Sequence, residues 1–312
     1  MREIARWILQ RDGFAIVPHV SPDGDSYGSC LALALGLKSI GKRAFVAAPP
    51  VPAMYAYLPG QECIFPKESM PFAPEAIVHL DTAAQDRIAT QFEAGIPRAL
   101  VDHHETNRGF DDIRWIDGAA SSTGEMLMQL LGEMQIEITP DMATCLYTAI
   151  STDTGNFQYS NTTPFALRCT AELLEKGLDL AKTSAHLFRS RTLARTQLLG
   201  EALHAMRLSH NGQVAITVVT KEMMARCNAG HPDTESIVNY LNEIQGVRAA
   251  AMLEERNGET KVSLRSAEWV DVAQIARSLG GGGHKFAAGV TIAADPETAA
   301  RLLQERLGEA VE

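Results

Sequence analysis

FAIVPHV (14–20), RAFVAA (43–48), EAIVHLD (75–81) and PRALVDHH (97–104) are short apolar runs separated by helical or loop sequence. Buried strands that alternate with helices pair into a mostly parallel sheet, with helices packed on both faces. GSCLALALGLKSIGK, between the first two runs, reads as a helix of small and apolar residues ending at Gly41, and residues 1–12 as an amphipathic helix. In such sheets ligands bind beyond the carboxyl ends of the strands. There the chain gathers its most reactive side chains. His19, Asp23 and Asp25 follow the first run, Asp81 ends the third, and Asp102, His103 and His104 end the fourth. A further cluster, AISTDTGNF, puts Asp153 at the end of the helical pattern PDMATCLYTAI.

Taken singly, each cluster has a plain structural explanation. Asp-Gly-Asp is a turn signature, Asp81 can cap a helix, and Asp153 can end one. Four clusters together, three of them each after an apolar strand, point instead to one shared site. His19 and Asp23 suit one hard cation and Asp25 a second; Asp81, short and anionic, can bridge both, and His103 and Asp153 can complete the second site. A donor set of carboxylate and imidazole without thiolate favours Mn²⁺ or Mg²⁺, with Co²⁺ also accepted, over structural zinc. Two such ions side by side activate water and clamp phosphoryl oxygens during in-line displacement.

Composition narrows the partners. The chain has 312 residues and a formal net charge of −10. Proteins that hold long nucleic acid through phosphate contacts are generally basic, so no long duplex is expected, and a nucleic-acid substrate must be short or held in a local pocket. The longest apolar stretch, Leu31–Leu37, falls far short of the ~20 residues of a membrane span. The N-terminus carries charges throughout, unlike a signal peptide. Five scattered cysteines without a C-x-x-C pair suit a reducing cytoplasm.

Residues 162–206 read as helical, after which short strands (GQVAITVVT, VRAAAMLEE, TKVSLRSA) alternate with helices. The expected organisation is therefore a domain at 1–188 with a mostly parallel sheet flanked by helices, a connecting segment at 189–204, and a smaller α/β domain at 205–312. In the second domain four glycines, Gly280–Gly283, precede His284. A helix C-cap needs only one. Consecutive glycines let backbone N–H groups approach phosphate closely; a flexible linker is the alternative, although apolar sequence resumes at once. Arg189, Arg191 and Arg195 form a basic patch that reads as a solvated helix face.

HVSPDGDSYGS, HLDTA, VDHHETN and STDTGNF resemble, in order, the four motifs of the DHH phosphoesterases, and GGGGHKFAAG (280–289) is similar to the signature of the DHHA1 domain that accompanies a subset of them. The resemblance spans nearly the whole chain. It implies that His19, Asp23, Asp25, Asp81, His103 and Asp153 are metal ligands with Asp81 as the bridge. It also implies that His104 lies by the scissile phosphate as phosphate binder or general acid, and that Asp102 orients a histidine or serves the core. Arg265, Ser266, Gly281, Gly282, Gly283 and His284 match positions that contact substrate.

The layout leaves no room for the added nucleic-acid-binding domain of the longer single-strand exonucleases. The Ser-Arg-Lys-Lys-Gln signature of family II pyrophosphatases is missing. What remains resembles compact enzymes of the NrnA type, whose substrates are short single-stranded RNA, linear dinucleotides such as pGpG or pApA, and 3′-phosphoadenosine 5′-phosphate (pAp). The implied enzyme is a Mn²⁺-dependent hydrolase, compatible with a homodimer. Cyclic-dinucleotide or pyrophosphate hydrolysis is the alternative, and a non-catalytic nucleotide sensor the remote one.

Overall fold

Every residue of Phe14–Val17 (β1), Ala44–Ala47 (β2) and Ala76–Leu80 (β4) is buried, as expected of central strands covered on both faces. The computed structural model describes residues 1–189, 191–267 and 270–312, with backbone alone for His284. The chain divides into two units, Met1–Ser190 and Arg191–Glu312.

The first unit runs α1 (Arg2–Leu9), β1, α2 (Gly24–Ser39), β2, β3 (Ile64–Phe65), β4, β5 (Arg98–Asp102), β6 (Ile113–Ile116), α3 (Thr123–Glu133), α4 (Pro140–Asp153), α5 (Pro164–Glu175) and α6 (Leu180–Phe188). Its six strands lie in the order β3-β2-β1-β4-β5-β6, and every pairing is parallel, Phe14 standing opposite both Ala44 and Ala76. Strand order reverses between β1 and β4, so the loops leaving those strands diverge and open the crevice in which such sheets bind ligands.

Expected helices on both faces give way to a division. Phe14, Ile16, Val46, Val78 and Leu80 pack with the helices. Alternate residues point the other way, and Ala15, Val17, Phe45, Ala47 and Ile77 are covered by Phe65, Met70, Phe72, Phe92 and Phe110 from strand ends and loops. The physical reason is proline: Pro66, Pro71 and Pro74 interrupt one covering segment and Pro97 ends another, and proline removes a helical hydrogen bond.

Close helix contact brings the end of α4 to the rim. A β-carbon on Gly28 of α2 would stand 2.4 Å from the Cys145 carbonyl oxygen of α4, and one on Gly124 of α3 would stand 2.5 Å from Ala149 Cβ. Only glycine lets these three helices approach so closely.

The second unit contains α7 (Leu193–His204), β7 (Arg207–Ser209), β8 (Val214–Val219), α8 (Lys221–Arg226), α9 (Ile237–Asn242), β9 (Ala249–Glu255), β10 (Thr260–Ser266), α10 (Val272–Ser278), β11 (Gly282–His284), β12 (Ala287–Ile292) and α11 (Pro296–Val311). Its sheet, β11-β12-β10-β9-β8-β7, is antiparallel except for β8 with β9. Helices cover both faces: α10 and α11 with Val214, Ala251 and Leu264 on one, α7 to α9 with Ala215, Ala250 and Met252 on the other. The segment 189–204 is therefore not a free connection. Leu198 and Ala202 of α7 are fully buried in the second core, because their spacing gives the helix an apolar face that must be covered. Among the described residues no helix is long and apolar enough to cross a membrane.

Gly28→Ala should destabilise the protein by about 1–3 kcal/mol through overpacking. Gly132→Ala, with nothing within 4 Å of the added carbon, should stabilise it by about 0.5–1 kcal/mol through helix propensity. Urea unfolding followed by circular dichroism checks both signs.

Candidate metal centre

Asp23 has extended backbone and accepts a hydrogen bond from the Ser26 N–H (3.0 Å), so Asp-Gly-Asp opens α2 as its N-cap rather than closing a turn. This puts Asp25 in the first helical turn, fully buried. Its carboxylate accepts from the backbone N–H of Thr123 (2.7 Å) and Gly124 (2.9 Å) and from Ser29 Oγ (2.9 Å). Those N–H groups begin α3, where the free donors and the helix dipole favour an anion.

Asp81 follows β4 with φ +53°, a left-handed conformation that costs a side-chain-bearing residue roughly 1–2 kcal/mol. It is held there by Ser26 Oγ, donating to Oδ2 at 2.5 Å, and Thr123 Oγ1, donating to Oδ1 at 3.3 Å. The His19 Nδ1 lies 2.6 Å from the Val20 carbonyl. That oxygen can only accept, which fixes the proton on Nδ1 and leaves Nε2 with a lone pair. Nε2 sits 3.5 Å from Asp81 Oδ2 and 3.9 Å from Asp23 Oδ2. The His103 Nε2 lies 3.0 Å from Asp153 Oδ2, 3.6 Å from Asp81 Oδ1 and 3.8 Å from Asp25 Oδ2.

The six expected ligands thus lie together, in two groups that can each surround an ion: His19, Asp23 and Asp81, and Asp25, His103 and Asp153. Asp81 also groups with His103 and His104, and so touches both halves of the cluster.

Crowded carboxylates repel, and proton affinities record it. The Asp23 side chain is partly exposed; desolvation first, then Asp81 and Asp153, push it up to about 6. Asp25 is raised well above the usual range, by burial first and then by Asp81 and Asp153. Burial disfavours a charged His103, but Asp153, Asp25 and Asp81 outweigh it and lift the imidazole to about 10. Asp81, despite burial, is held low by His103, His104 and His19. Divalent cations offset such repulsion more strongly than protons do, and the oxygen–imidazole donor set fits a hard or borderline ion.

Beyond Asp102, read from the sequence as orienting a histidine or serving the core, a supporting layer escaped the sequence reading. Asp102, fully buried, accepts from His104 Nδ1 (2.8 Å) and from Asn107 Nδ2 (2.6 Å), and Asn107 also donates to the Thr82 carbonyl (2.9 Å). Burial opposes a charged His104, but Asp102 and Asp81 leave its pKa raised. Asn161 donates to the carbonyls of Asp153 and Ser121, holding the end of α4. Two signals were available: Asn107 stands within VDHHETN, and Ser122-x-x-Glu125 is a capping signature that marks Thr123 and Gly124 as first-turn donors.

The expected substrate contacts all lie in the second unit. The Ser266 hydroxyl is buried and donates to the Val270 carbonyl (2.7 Å), so an internal partner occupies it. Arg265 donates through Nη1 to the Leu264 carbonyl (2.9 Å). The glycine tract is no linker. Gly281 would carry a β-carbon 2.3 Å from the Gly289 carbonyl oxygen, and Gly283, at φ +143°, one 2.5 Å from that of Ala287; the β11–β12 hairpin itself requires both. Gly282 is exposed with open space around it. His284 contributes backbone to β11, and its side chain lies outside the described residues. Of the remaining histidines, His79 pairs with buried Asp111, His186 stacks on Tyr57, and His231 pairs with Glu254.

Comparison with known proteins agrees with this layout. The DHH family N-terminal domain matches residues 13–150 and the DHHA1 domain residues 211–312. A protein of Thermus thermophilus named bifunctional oligoribonuclease and PAP phosphatase NrnA is 36% identical, covering 94% of this chain and 88% of its own. A Bacillus subtilis protein of the same name is 28% identical, covering 93% and 92%. The crystal structure of an exopolyphosphatase-related protein from Bacteroides fragilis superposes with TM-score 0.91 at 28% identity, covering 98% of this chain and 95% of its own.

Asp25→Ala strands two buried N–H groups, each costing about 1–3 kcal/mol, whereas Asp153 is tied mainly to His103. In metal-stripped protein Asp25→Ala should therefore lose at least about 2 kcal/mol more stability than Asp153→Ala, read by urea unfolding. The raised Asp23 pKa means stability that is full below the unfolded carboxyl value near 3.8 and lost as pH rises through about 6. Wild type minus Asp23→Asn should lose stability across that window in chelator, since asparagine keeps the cap and does not titrate; a flat difference would refute the shift.

Proposed function

The chain belongs to the DHH family, with a C-terminal DHHA1 domain, and from that premise we propose that it is a divalent-metal-dependent phosphodiesterase acting on very short RNA. Its substrates are single-stranded oligonucleotides and linear dinucleotides of the pGpG or pApA type, cut to mononucleotides, together with pAp, from which it removes a phosphate. The observation that carries this reading is the cluster in which Asp81 joins His19 and Asp23 to the neighbourhood of Asp25, His103 and Asp153. The names of the Thermus and Bacillus relatives support the substrate class.

His19, Asp23, Asp25, Asp81, His103 and Asp153 would hold two cations, Mn²⁺ ahead of Mg²⁺ or Co²⁺ on the chemistry of the donors. Bound there, the ions lower the pKa of water and neutralise phosphoryl charge. The protein's own part is placement. Ser26, Ser29 and the first N–H groups of α3 orient Asp25 and Asp81, so these carboxylates need no reorganisation when substrate arrives. Asp102 fixes the His104 ring, which binds a phosphoryl oxygen or gives its proton to the departing ribose oxygen. Hydrolysis adds hydroxide to phosphorus, breaks one P–O bond and leaves the proton on that oxygen. The DHHA1 domain would grip a terminal nucleotide through Arg265, Gly282 and His284. The five cysteines are free and buried, which suits the cytoplasm as the place of work.

Tested with Mn²⁺ on a 5′-phosphorylated RNA dinucleotide, an RNA pentamer, pAp, a cyclic dinucleotide and pyrophosphate, the protein should turn over the dinucleotide and pAp, and the pentamer more slowly. Asp81→Ala should lower kcat at least about 10³-fold, with an unchanged circular dichroism spectrum. Preference for the cyclic substrate or pyrophosphate would overturn the substrate assignment, and no turnover of any would leave a binding protein.

A further inference from the structure

Past Asp153 the chain passes through three consecutive left-handed residues, Gly155 (φ +55°), Asn156 (+57°) and Phe157 (+64°). Two of the three carry side chains, for which this region is unfavourable. The run turns the chain back on itself: Asn156 N–H donates to the Ser151 carbonyl (2.7 Å), and the N–H groups of Gln158 and Tyr159 both donate to that of Thr154 (3.0 Å). The Asn161 side chain closes the loop onto the Asp153 carbonyl at 3.1 Å.

The two aromatic residues of this loop are treated differently. Phe157 turns inward against Tyr147, ring centroids 6.4 Å apart. Tyr159 folds over residue 155, its Cζ, Cε1 and Cε2 lying 2.4–2.6 Å from where a β-carbon would stand. Residue 155 must be glycine for the ring to rest there. Tyr159 is nevertheless 56% exposed, and its hydroxyl has no partner among the described residues. A ring seated on backbone and more than half exposed serves neither the core nor a hydrogen bond. Its seat, Gly155, is two residues from Asp153, at most about 7 Å along the chain.

We propose that Tyr159 is a platform on which a substrate nucleobase stacks while the adjoining phosphate lies at the metal centre. The proposal rests on the reading of this site as one for nucleotides. Carboxylates and imidazoles around a phosphate read no base; the ring supplies the affinity that separates a nucleotide from a base-free phosphoester. Stacking tolerates any base, as a scavenger of mixed short RNA requires.

The test is binding of AMP and of ribose 5-phosphate, by calorimetry with Mn²⁺, to wild type, Tyr159→Ala, Tyr159→Phe and Gly155→Ala. Wild type should bind AMP about tenfold more tightly than ribose 5-phosphate. Tyr159→Ala should shrink that margin below about twofold, and Tyr159→Phe should keep it. Gly155→Ala, which displaces the ring, should reproduce the loss with the tyrosine present. Ribose 5-phosphate affinity should stay the same in wild type and both Tyr159 variants. With pAp, Tyr159→Ala should raise KM with little change in kcat. An AMP margin that survives Tyr159→Ala, or an equal fall in ribose 5-phosphate affinity, overturns the proposal. Hydrolysis of dinucleotides by a wild type that binds AMP and ribose 5-phosphate alike overturns it and spares the function above. Tyr159-dependent AMP binding without hydrolysis of any substrate does the reverse.

Discussion

Asp25 is the hinge of the site. Its carboxylate lies in the first turn of α2 and takes the first two N–H groups of α3, so one buried anion satisfies donors that the helix cannot satisfy internally and locks two helices in register. Thr123, through its hydroxyl, extends the link to Asp81. Remove that carboxylate and the N-terminus of α3 loses its acceptor, and Asp81 loses the frame that keeps it left-handed. The carboxylate–imidazole cluster and the packing of the first unit are therefore one structure.

Holding four carboxylates together is costly, and the protein meets the cost locally. Backbone N–H groups and hydroxyls from Ser26, Ser29 and Thr123 point at Asp25 and Asp81, while His19, His103 and His104 interleave with them. Burial, with the repulsion that remains, raises the proton affinity of Asp23 and Asp25, and the surrounding carboxylates raise that of His103 against its own burial. A site so biased against its own charges favours a divalent cation over none. Close helix packing through Gly28 and Gly124 matters for the same reason: a wider α2–α4 spacing would carry Asp153 away from His103.

The glycine tract shows how one sequence feature can hold two causes. Gly281 and Gly283 are demanded by the approach of β11 to β12, so their presence says nothing about a ligand. Gly282 has no such internal reason. Sequence alone cannot separate the two, because a backbone that must approach another strand and one that must approach a phosphate both require the absence of a β-carbon. Ser266 likewise reads as a polar residue at a strand end until its bond to Val270 is seen.

Short apolar runs, three of them leading into charged or imidazole residues, were enough to specify a parallel sheet and side chains at its rim. Strand periodicity and turn chemistry are local properties, legible without neighbours. In this way His19, Asp23, Asp25, Asp81 and His103 could be named from their positions in the chain, and Asp153 from the end of a helical pattern. The brief strands β3 and β6 were not legible, because two to four partly exposed residues carry no clear pattern. Nor were the layers visible: prolines at 66, 71 and 74 send one covering segment across the sheet as loop rather than helix, and Leu198 and Ala202 commit α7 to the second core. Only the tertiary structure showed that Thr123 and Gly124 hold Asp25 from 98 and 99 residues away, that Asn107 braces Asp102, and that Tyr159 lies on Gly155 while staying more than half exposed. Those are facts of distance between segments remote in the chain or reversed by strained backbone, and packing, not local pattern, decides them.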